Sequence, residues 1–233
     1  MLTATATRIE RIDLPTGRVY RTPVGEFPSV NEILTATMPE SERAGLDAWR
    51  ARVGDEVVNQ VREAAKARGT LVHQLVEFKI QTGETPEIPA SVSNFWKALE
   101  DYLPTADQTF KVNHAVYGGE RLALELPLYH AELAYGGTFD WCGDWRGDGQ
   151  IWLMDFKTSH RSKGRADIQR HRVQLAAYGM AMESLLGITC DRYGIILSRP
   201  SGSPQQFFFS PGEMAEAQDL WLERLAEYRQ LIG

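Results

Sequence analysis

The stretch GGTFDWCGDWRGDGQIWLMDFKTS, residues 136–159, decides the fold and the position of the candidate site. An apolar segment, residues 151–154, runs into two charged residues that are two positions apart. Alternate side chains of a strand share a face, so Asp155 and Lys157 are predicted on one face and Met154 and Phe156 on the other. The turn-rich segment RGDG, residues 146–149, predicts a hairpin that pairs this strand with the one before it.

The hairpin predicts that two carboxylates meet. If its centre lies between Gly147 and Asp148, Asp140 pairs with Asp155, because each lies 7.5 positions from that centre. Adjacent carboxylates repel each other unless a cation lies between them or one keeps its proton. Oxygen ligands favour Mg²⁺ or Mn²⁺ over structural zinc. The pattern therefore indicates metal-assisted phosphodiester hydrolysis, with Lys157 holding the attacking water or stabilising charge on the phosphate.

The same residues have a structural alternative, a surface hairpin in which an acid and a lysine form an exposed ion pair worth about 0–1 kcal/mol. The apolar segment before Asp155 argues against it, because charges that end a buried strand need a reason.

Around the hairpin the sequence predicts helices flanking a mixed sheet. After an irregular start, residues 29–80 are typical of helices, with a capping box at SVNE (29–32) and a break at Gly69. A third helix is predicted near residues 92–102. From Phe110 the period changes to two, which predicts Leu122, Leu124, Leu126 and Leu128 on one side of a strand and Ala123, Glu125 and Tyr129 on the other.

The rest of the chain continues this pattern. Further strands are predicted at residues 133–140, 151–157, 192–197 and 205–209, and helices at 173–186 and after the cap SPGE (210–213). We expect an α/β (α+β) fold in a single domain, residues 1–233. Its parts are a mainly helical region (1–108) that carries His73, a catalytic sheet and helix (109–209), and a C-terminal helix (210–233).

Composition limits the class of protein. With 43% hydrophobic residues, no apolar run long enough for a membrane span and no secretory signal, the 233-residue chain is expected to be a cytoplasmic protein of a bacterial or phage-infected cell, without a membrane partner. A net charge of −6 argues against a surface that is basic all over. The segment 157–172, however, has six basic residues and one acid beside the predicted site, and is either a solvated face or a DNA contact.

Four ordered motifs carry a resemblance to a known family: RGTLVHQLVE (68–77), GTFD (137–140), DFKTS (155–159) and QLAAY (174–178). Their series resembles the RecB-type branch of the PD-(D/E)XK nuclease superfamily. The segment FPSVNEIL (27–34) is similar to the start of mitochondrial genome maintenance exonucleases and their phage relatives. The resemblance implies a restriction-endonuclease-like core and a Mg²⁺- or Mn²⁺-dependent deoxyribonuclease.

Carried over by position, the resemblance implies a role for each motif residue. His73, Asp140, Asp155 and the Phe156 carbonyl would bind metal, and Lys157 would be catalytic with Gln174 and Tyr178 in support. Glu125 and Glu77 would support the ligands, although Glu77 is equally well an ordinary exposed acid. DNA contacts are expected from Thr158, Ser159, Arg161, Lys163, Arg165, Arg170, Ser29 and Arg68.

The sequence departs from the family pattern in three places. Phe139 replaces the namesake proline, Asn31 stands where threonine is usual, and the cluster cysteines of some relatives are missing, so no iron–sulfur cluster is expected. Cys142 is interpreted as a buried apolar residue. Trp141, Trp145 and Trp152 are interpreted as core residues, with stacking on unpaired bases as the alternative.

Three functions follow in order of preference. The first is an exonuclease that acts on single-stranded DNA with a free end. The second is a structure-specific or duplex-end-processing nuclease of recombination. The third is a DNA-binding subunit without catalysis, which the intact set of Asp140, Asp155 and Lys157 disfavours.

Overall fold

The computed structural model describes residues 8–15 and 17–233, so the first seven residues of the predicted domain and Thr16 lie outside the described residues. The strands, in chain order, are β1 (Glu10–Leu14), β2 (Gly17–Thr22), β3 (Gly25–Pro28), β4 (Lys111–His114), β5 (Gly119–Leu122), β6 (Leu124–His130), β7 (Tyr135–Gly143), β8 (Trp152–Thr158), β9 (Arg192–Ser198) and β10 (Gln205–Phe209). The helices are α1 (Val30–Ala36), α2 (Glu40–Val53), α3 (Asp55–Thr82), α4 (Ser93–Leu99), α5 (Gln169–Leu186) and α6 (Pro211–Ile232).

A five-stranded mixed sheet forms the centre, in the order β10-β9-β8-β7-β6. Strands β8 and β9 are parallel, and the other neighbours are antiparallel. In the hairpin, Trp141 pairs with Met154 and Gly143 with Trp152. Continued by one position, this register sets Asp140 opposite Asp155, which confirms the predicted centre of the hairpin.

Each face of the sheet has its own apolar core. One core joins the sheet to α1, α5 and α6 and includes Leu153 and Trp221. The other joins it to α3 and α4 and includes Trp96 together with Met154 and Phe156, which confirms that these two residues point away from Asp155 and Lys157. Helix α6 begins at the predicted capping box, where the Ser210 side chain and the Glu213 carboxylate each bind the other's backbone N–H.

The N-terminal segment corrects the prediction of an irregular start. Strands β1, β2 and β3 form a separate antiparallel sheet, so the helical region begins only at α1. Ser29 caps α1 by accepting the Glu32 N–H at 3.0 Å. The Glu32 carboxylate lies beside Gly17 instead of closing the predicted box.

The predicted break at Gly69 is also wrong, because α3 is one helix of 28 residues, about 42 Å long at 1.5 Å per residue. A glycine inside a helix costs about 1 kcal/mol relative to alanine. The buried residues of the C-terminal half, such as Val72 and Val76, pack on the sheet and offset that cost.

The four leucines predicted on one side of a strand are divided between the two cores. Leu124 packs with the α3 and α4 core, and Leu126 and Leu128 pack on the opposite side. Between them Glu125 has a φ of +49°, an unusual conformation for a residue with a side chain. Simple alternation therefore fails at Glu125, next to the candidate site.

The tryptophans near the hairpin are core residues. Trp141 is fully buried and donates to Thr109 Oγ1 at 2.7 Å, and Trp152 packs edge-on against Trp145. The alternative in which they stack on bases is therefore wrong for Trp141 and Trp152. Cys142 is buried in the core, as predicted.

Among the described residues, no helix has the length and apolar character needed to cross a bilayer.

Candidate active site

Two buried carboxylates lie just beyond the last regular pair of β7 and β8, Trp141 with Met154. Asp140 is 6% exposed and Asp155 is 1% exposed. Asp140 Oδ2 accepts the backbone N–H of Phe156 at 2.6 Å, which fixes the carboxylate against the partner strand. The hairpin register thus brings both acids to one place, as the sequence predicted.

Lys157 supplies a positive charge at the same place. Its Nζ donates to Asp155 Oδ1 at 2.5 Å and lies 3.8 Å from Asp140 Oδ2. Burial opposes the charge of the lysine, but the two carboxylates outweigh burial and raise the pKa of Lys157. Lys157 is therefore a cation at neutral pH, held between the two acids.

His73 approaches the carboxylates from α3. Its Nδ1 donates to Glu125 Oε1 at 2.7 Å and lies 3.7 Å from Asp140 Oδ1, and its Nε2 donates to the Phe156 carbonyl at 2.9 Å. Both hydrogen-bond partners are acceptors, so both ring nitrogens carry protons in this arrangement. Burial alone would lower the pKa of His73, but Asp140 and Glu125 raise it to about 9.

One fully buried oxygen of the cluster has no hydrogen-bond partner. Burial, with the charge of Asp140, raises the pKa of Asp155 against the opposing effect of Lys157. Asp155 Oδ2 is buried and accepts no hydrogen bond. A buried acceptor without a partner costs about 1–3 kcal/mol, so this atom needs a proton or a cation that the protein chain does not supply.

The donor set fits a hard divalent cation. The ligand atoms of His73, Glu125 and Asp140 all lie within 4.8 Å of one another, and Asp155 lines the same cavity. Carboxylate and carbonyl oxygens are the ligands that Mg²⁺ and Mn²⁺ prefer. Glu125 was predicted only as a supporting residue, but its carboxylate lies within 4.8 Å of the ligand atoms of His73 and Asp140.

Gln174 and Tyr178 line the same cavity from α5, one helical turn apart. Gln174 Nε2 donates to the Tyr178 hydroxyl at 3.0 Å and to Asn31 Oδ1 at 2.9 Å. The Tyr178 ring packs directly on Gly137, where any side chain on β7 would collide with it. These contacts place both residues beside the carboxylates, while their predicted part in catalysis stays a prediction.

The chain as a whole resembles a known protein family. The model of the PD-(D/E)XK nuclease superfamily matches residues 47–229. The chain belongs to that superfamily. It is also 25% identical, over 219 residues, to the Mitochondrial genome maintenance exonuclease 1 of Xenopus tropicalis, an alignment that covers 88% of this chain and 58% of the relative's length. The crystal structure of SSO0001 matches with a TM-score of 0.30 and 16% identity, over 54% of this chain and 48% of that one.

The PD-(D/E)XK match includes every residue of the cluster and confirms the restriction-endonuclease-like fold: a mixed five-stranded sheet flanked by helices. The N-terminal sheet and α1, residues 10–36, lie before the matched segment. They nevertheless complete the cavity of the candidate site, which has a volume of about 350 Å³ and is lined in part by Arg11, Arg18 and Tyr20. Sequence reasoning missed these three residues.

Tyr20 attaches the N-terminal sheet to the PD-(D/E)XK core. It is buried, and its hydroxyl shares a hydrogen bond of 2.9 Å with Thr138 Oγ1 on β7. A Cβ at Gly136 would lie 2.7 Å from both Cβ and Cγ of Tyr20. Gly136 and Gly137 thus leave room on β7 for one tyrosine each, Tyr20 and Tyr178.

Gly136→Ala is expected to reduce the free energy of unfolding by about 1–3 kcal/mol, the usual effect of adding a methyl group to a packed site. The clash is with the inflexible base of Tyr20, so β7 or the N-terminal sheet must shift. Chemical denaturation measures the change. Gly45→Ala is the control, because Gly45 lies in α2 with open space around it and should be neutral or stabilising by up to about 1 kcal/mol. Equal stability of the two variants would contradict the packing described for Tyr20.

Five of the eight predicted DNA-contact residues line a second cavity of about 740 Å³ beside the PD-(D/E)XK site: Arg68, Thr158, Ser159, Arg161 and Lys163. We call it the basic cleft. Arg52, His160 and His171, which the sequence did not indicate, line it too. Burial first, then the charge of Lys157, lowers the pKa of His171 to about 4, so His171 is neutral at pH 7.

The other three predicted DNA-contact residues lie elsewhere and bind protein groups. Arg170 donates to the Leu34 carbonyl at 2.8 Å and to Thr35 Oγ1 at 2.8 Å, so it holds the end of α1. Arg165 pairs with Glu213, and the buried Ser29 caps α1. Glu77 lines the active-site cavity but accepts a hydrogen bond from Gln81, while Glu125 is the partner of His73.

Proposed function

We propose that this protein is a divalent-metal-dependent DNA exonuclease, with Mg²⁺ or Mn²⁺ as the ion, that hydrolyses phosphodiester bonds from the ends of single strands. The observation that carries the proposal is the convergence of Asp140, Asp155 and Lys157 within hydrogen-bond or ion-pair distance in one cavity. Membership of the nuclease superfamily supports the reaction class. The word exonuclease in the name of the frog relative supports attack from an end.

The chain's own residues divide the chemistry between them. A divalent ion would polarise a phosphoryl oxygen and acidify a water molecule if Glu125, Asp140 and Asp155 held it together with His73, whose ring would have to lose one proton to act as a ligand. Lys157 keeps its charge next to Asp155 and is placed to orient a water molecule or to stabilise charge that develops on the phosphate. Asp140 is fixed by the Phe156 N–H, so its carboxylate is oriented before substrate arrives.

The basic cleft supports a polyanionic substrate. Four permanently charged residues, Arg52, Arg68, Arg161 and Lys163, line it, and the described residues of its wall include no acid. Strand β8 and helix α3 each contribute to both cavities. Lys157 on β8 and Thr70 on α3 line the active-site cavity. Their neighbours Thr158 and Arg68 line the cleft. Arg68 donates to Thr158 Oγ1 at 3.1 Å, so the boundary between the cavities is ordered. A phosphate backbone in the cleft would therefore lie one residue along β8 from the cavity that holds the carboxylates.

An aromatic residue in the same cleft supports a single strand as the substrate. Trp49, on α2, is half-buried and lines the cleft among the arginines. Proteins that bind single-stranded nucleic acid combine a positively charged groove with aromatic rings on which unpaired bases stack. Paired bases of a duplex do not expose their faces in this way. Trp49 thus takes the role that the sequence offered as an alternative for Trp141 and Trp152.

The test compares linear and circular single-stranded DNA of equal length, the linear form labelled at either end, with Mg²⁺, Mn²⁺ or a chelator. We expect loss of the linear DNA with either ion, survival of the circle, and no cleavage in chelator. Equal loss of the circle would overturn the exonuclease part of the proposal. Absence of cleavage with any ion would overturn the nuclease itself and favour a DNA-binding subunit.

Flap and blunt duplex substrates, run in the same assay, separate the second candidate from the first. A nuclease that processes duplex ends or branched structures would degrade these faster than the single strand. The proposal predicts the reverse order of rates, because Trp49 and the basic cleft fit unpaired bases.

A further inference from the structure

We propose that the N-terminal sheet carries a phosphate-binding site, formed by Arg11 and Arg18, that holds a backbone phosphate of the bound strand next to the bond being cleaved. The inference rests on the proposed function, because it names a substrate contact of the same cavity. Arg11 and Arg18 lie before the segment that the superfamily model matches, so membership of the family does not supply these residues.

The register of the sheet directs both arginines to the site. Arg11 pairs with Tyr20 and Asp13 with Arg18 across β1 and β2. Directly paired residues of an antiparallel sheet share a face, and so do alternate residues of one strand, so these four residues lie on one face. Tyr20 is anchored to Thr138 on β7, which is two residues from Asp140. That face therefore looks onto the carboxylates, and both arginines line the cavity with them.

Apart from the two arginines, the acidic side chains of the cavity outnumber its basic ones, which favours arginines as phosphate contacts at its wall. Its acids are Glu77, Glu125, Asp140 and Asp155, and its one lysine, Lys157, is engaged with the Asp155 carboxylate. A bound divalent ion would offset negative charge at the phosphate being cleaved, but the flanking phosphates of the strand would still be repelled by the acids unless they meet positive charge of their own. Among the described residues of the wall, Arg11 and Arg18 are the two arginines. Arginine binds phosphate through a planar fork of N–H groups.

Asp13 holds the two guanidinium groups until a phosphate replaces it. Arg18 Nε donates to Asp13 Oδ1 at 2.7 Å, and Arg11 donates from Nη2 to Asp13 Oδ2 at 3.1 Å. The hydrogen bond from Arg18, with the charges of both arginines, holds the pKa of Asp13 below its usual range. The bond from Arg18 uses Nε, so the terminal nitrogens of that side chain stay available as donors. Asp13 thus orders the pair and competes with the incoming phosphate.

The test measures the Kd of a fluorescent single-stranded oligonucleotide by anisotropy over a range of salt concentrations. The Lys157→Ala variant is the background, so that cleavage is too slow to consume the oligonucleotide during the measurement. We expect Arg11→Ala/Arg18→Ala to raise the Kd about tenfold or more near 0.1 M salt. The slope of log K against log salt should become shallower by about 0.7 for each phosphate that the protein no longer neutralises. Asp13→Asn should do the opposite and lower the Kd, because it removes the competing carboxylate.

Arg21→Ala is the matched control. Arg21 lies on β2 as well, but on the other face, where it pairs with Glu10 and Glu26. It should leave the Kd and the salt slope within twofold of the background protein. Arg11→Lys/Arg18→Lys keeps both charges and should restore the salt slope, which separates phosphate binding from a fold defect in Arg11→Ala/Arg18→Ala.

The outcomes separate this inference from the proposed function. If the parent protein cuts DNA and the arginine variants bind like Arg21→Ala, the phosphate site is overturned and the nuclease stands. If Asp13→Asn weakens binding as much as the arginine variants do, the sheet acts only through its stability and the site is again overturned. If the parent neither binds nor cuts DNA, the proposed function itself fails.

Discussion

Lys157→Ala is expected to lower kcat for cleavage of single-stranded DNA by about 10²–10³ or more, the usual effect of removing one group that stabilises charge in a transition state. The Kd for DNA should change little, because the basic cleft and its arginines are untouched. A loss confined to kcat marks an interaction made in the transition state. Single-turnover kinetics together with anisotropy measure the two quantities.

The same variant has a consequence for stability. Without Lys157, the buried carboxylates Asp155 and Asp140 lose the cation between them, and removing one partner of a buried pair costs about 3–5 kcal/mol. The melting temperature in chelator should therefore fall and recover partly with Mn²⁺. Lys111→Ala is the control, because Lys111 is an exposed residue paired with Glu120 and should change neither kcat nor stability. Cleavage by Lys157→Ala at the parent rate would show that the assigned mechanism is wrong.

Asp140→Asn combined with Asp155→Asn is expected to abolish both cleavage and stabilisation by divalent ions. A ligand that binds only the folded state at 100 times its Kd stabilises by about 2.7 kcal/mol. For a protein of this size that corresponds to a rise in Tm of roughly 5–11 °C. The parent protein should show this rise with Mn²⁺ or Mg²⁺, and the double variant should show none.

Asp148→Asn is the matched control for the double variant. Asp148 lies in the turn of the same hairpin, is exposed, and accepts a hydrogen bond from Gln150 N. It should keep the full rise in Tm and the full rate of cleavage. A rise in the double variant equal to that of the parent would place the ion elsewhere on the protein.

The centre of the site was predictable because it depends on local geometry. Side-chain alternation and one turn determine how β7 and β8 pair, so Asp140, Asp155 and Lys157 could be brought together from a continuous segment of 24 residues. Motif order then added His73, Gln174 and Tyr178, all of which line the same cavity. Helices flanking a mixed sheet followed from apolar periodicity, although the leucines of β6 are divided between the two cores.

The role of Glu125 could not be predicted in the same way. A positive φ at a residue with a side chain is rare, and no local sequence rule predicts it at Glu125. It ends the alternation of the leucines and leaves the carboxylate beside His73. Arg170 was predicted to contact a phosphate, as part of the basic segment. In the structure its hydrogen-bond acceptors belong to α1, which is distant in sequence.

The N-terminal sheet was missed because its strands are short and charged residues lie on both of its faces. Leu14 of β1 pairs with Gly17 of β2. Ile12 and Val19 alternate with charged residues along these two strands, and this alternation is a hairpin signal that could have been used. The basic cleft has no such signal. It depends on the placement of Arg52 and Trp49, on α2, next to residues 158–163, and that placement is tertiary.

A titration of Mn²⁺ followed by electron paramagnetic resonance, in the parent and in Asp140→Asn/Asp155→Asn, tests most directly whether these side chains share one ion. Loss of the free-ion signal on binding to the parent, and its persistence with the folded double variant, is the result we predict. Binding of Mn²⁺ by the double variant with the affinity of the parent would contradict the central claim.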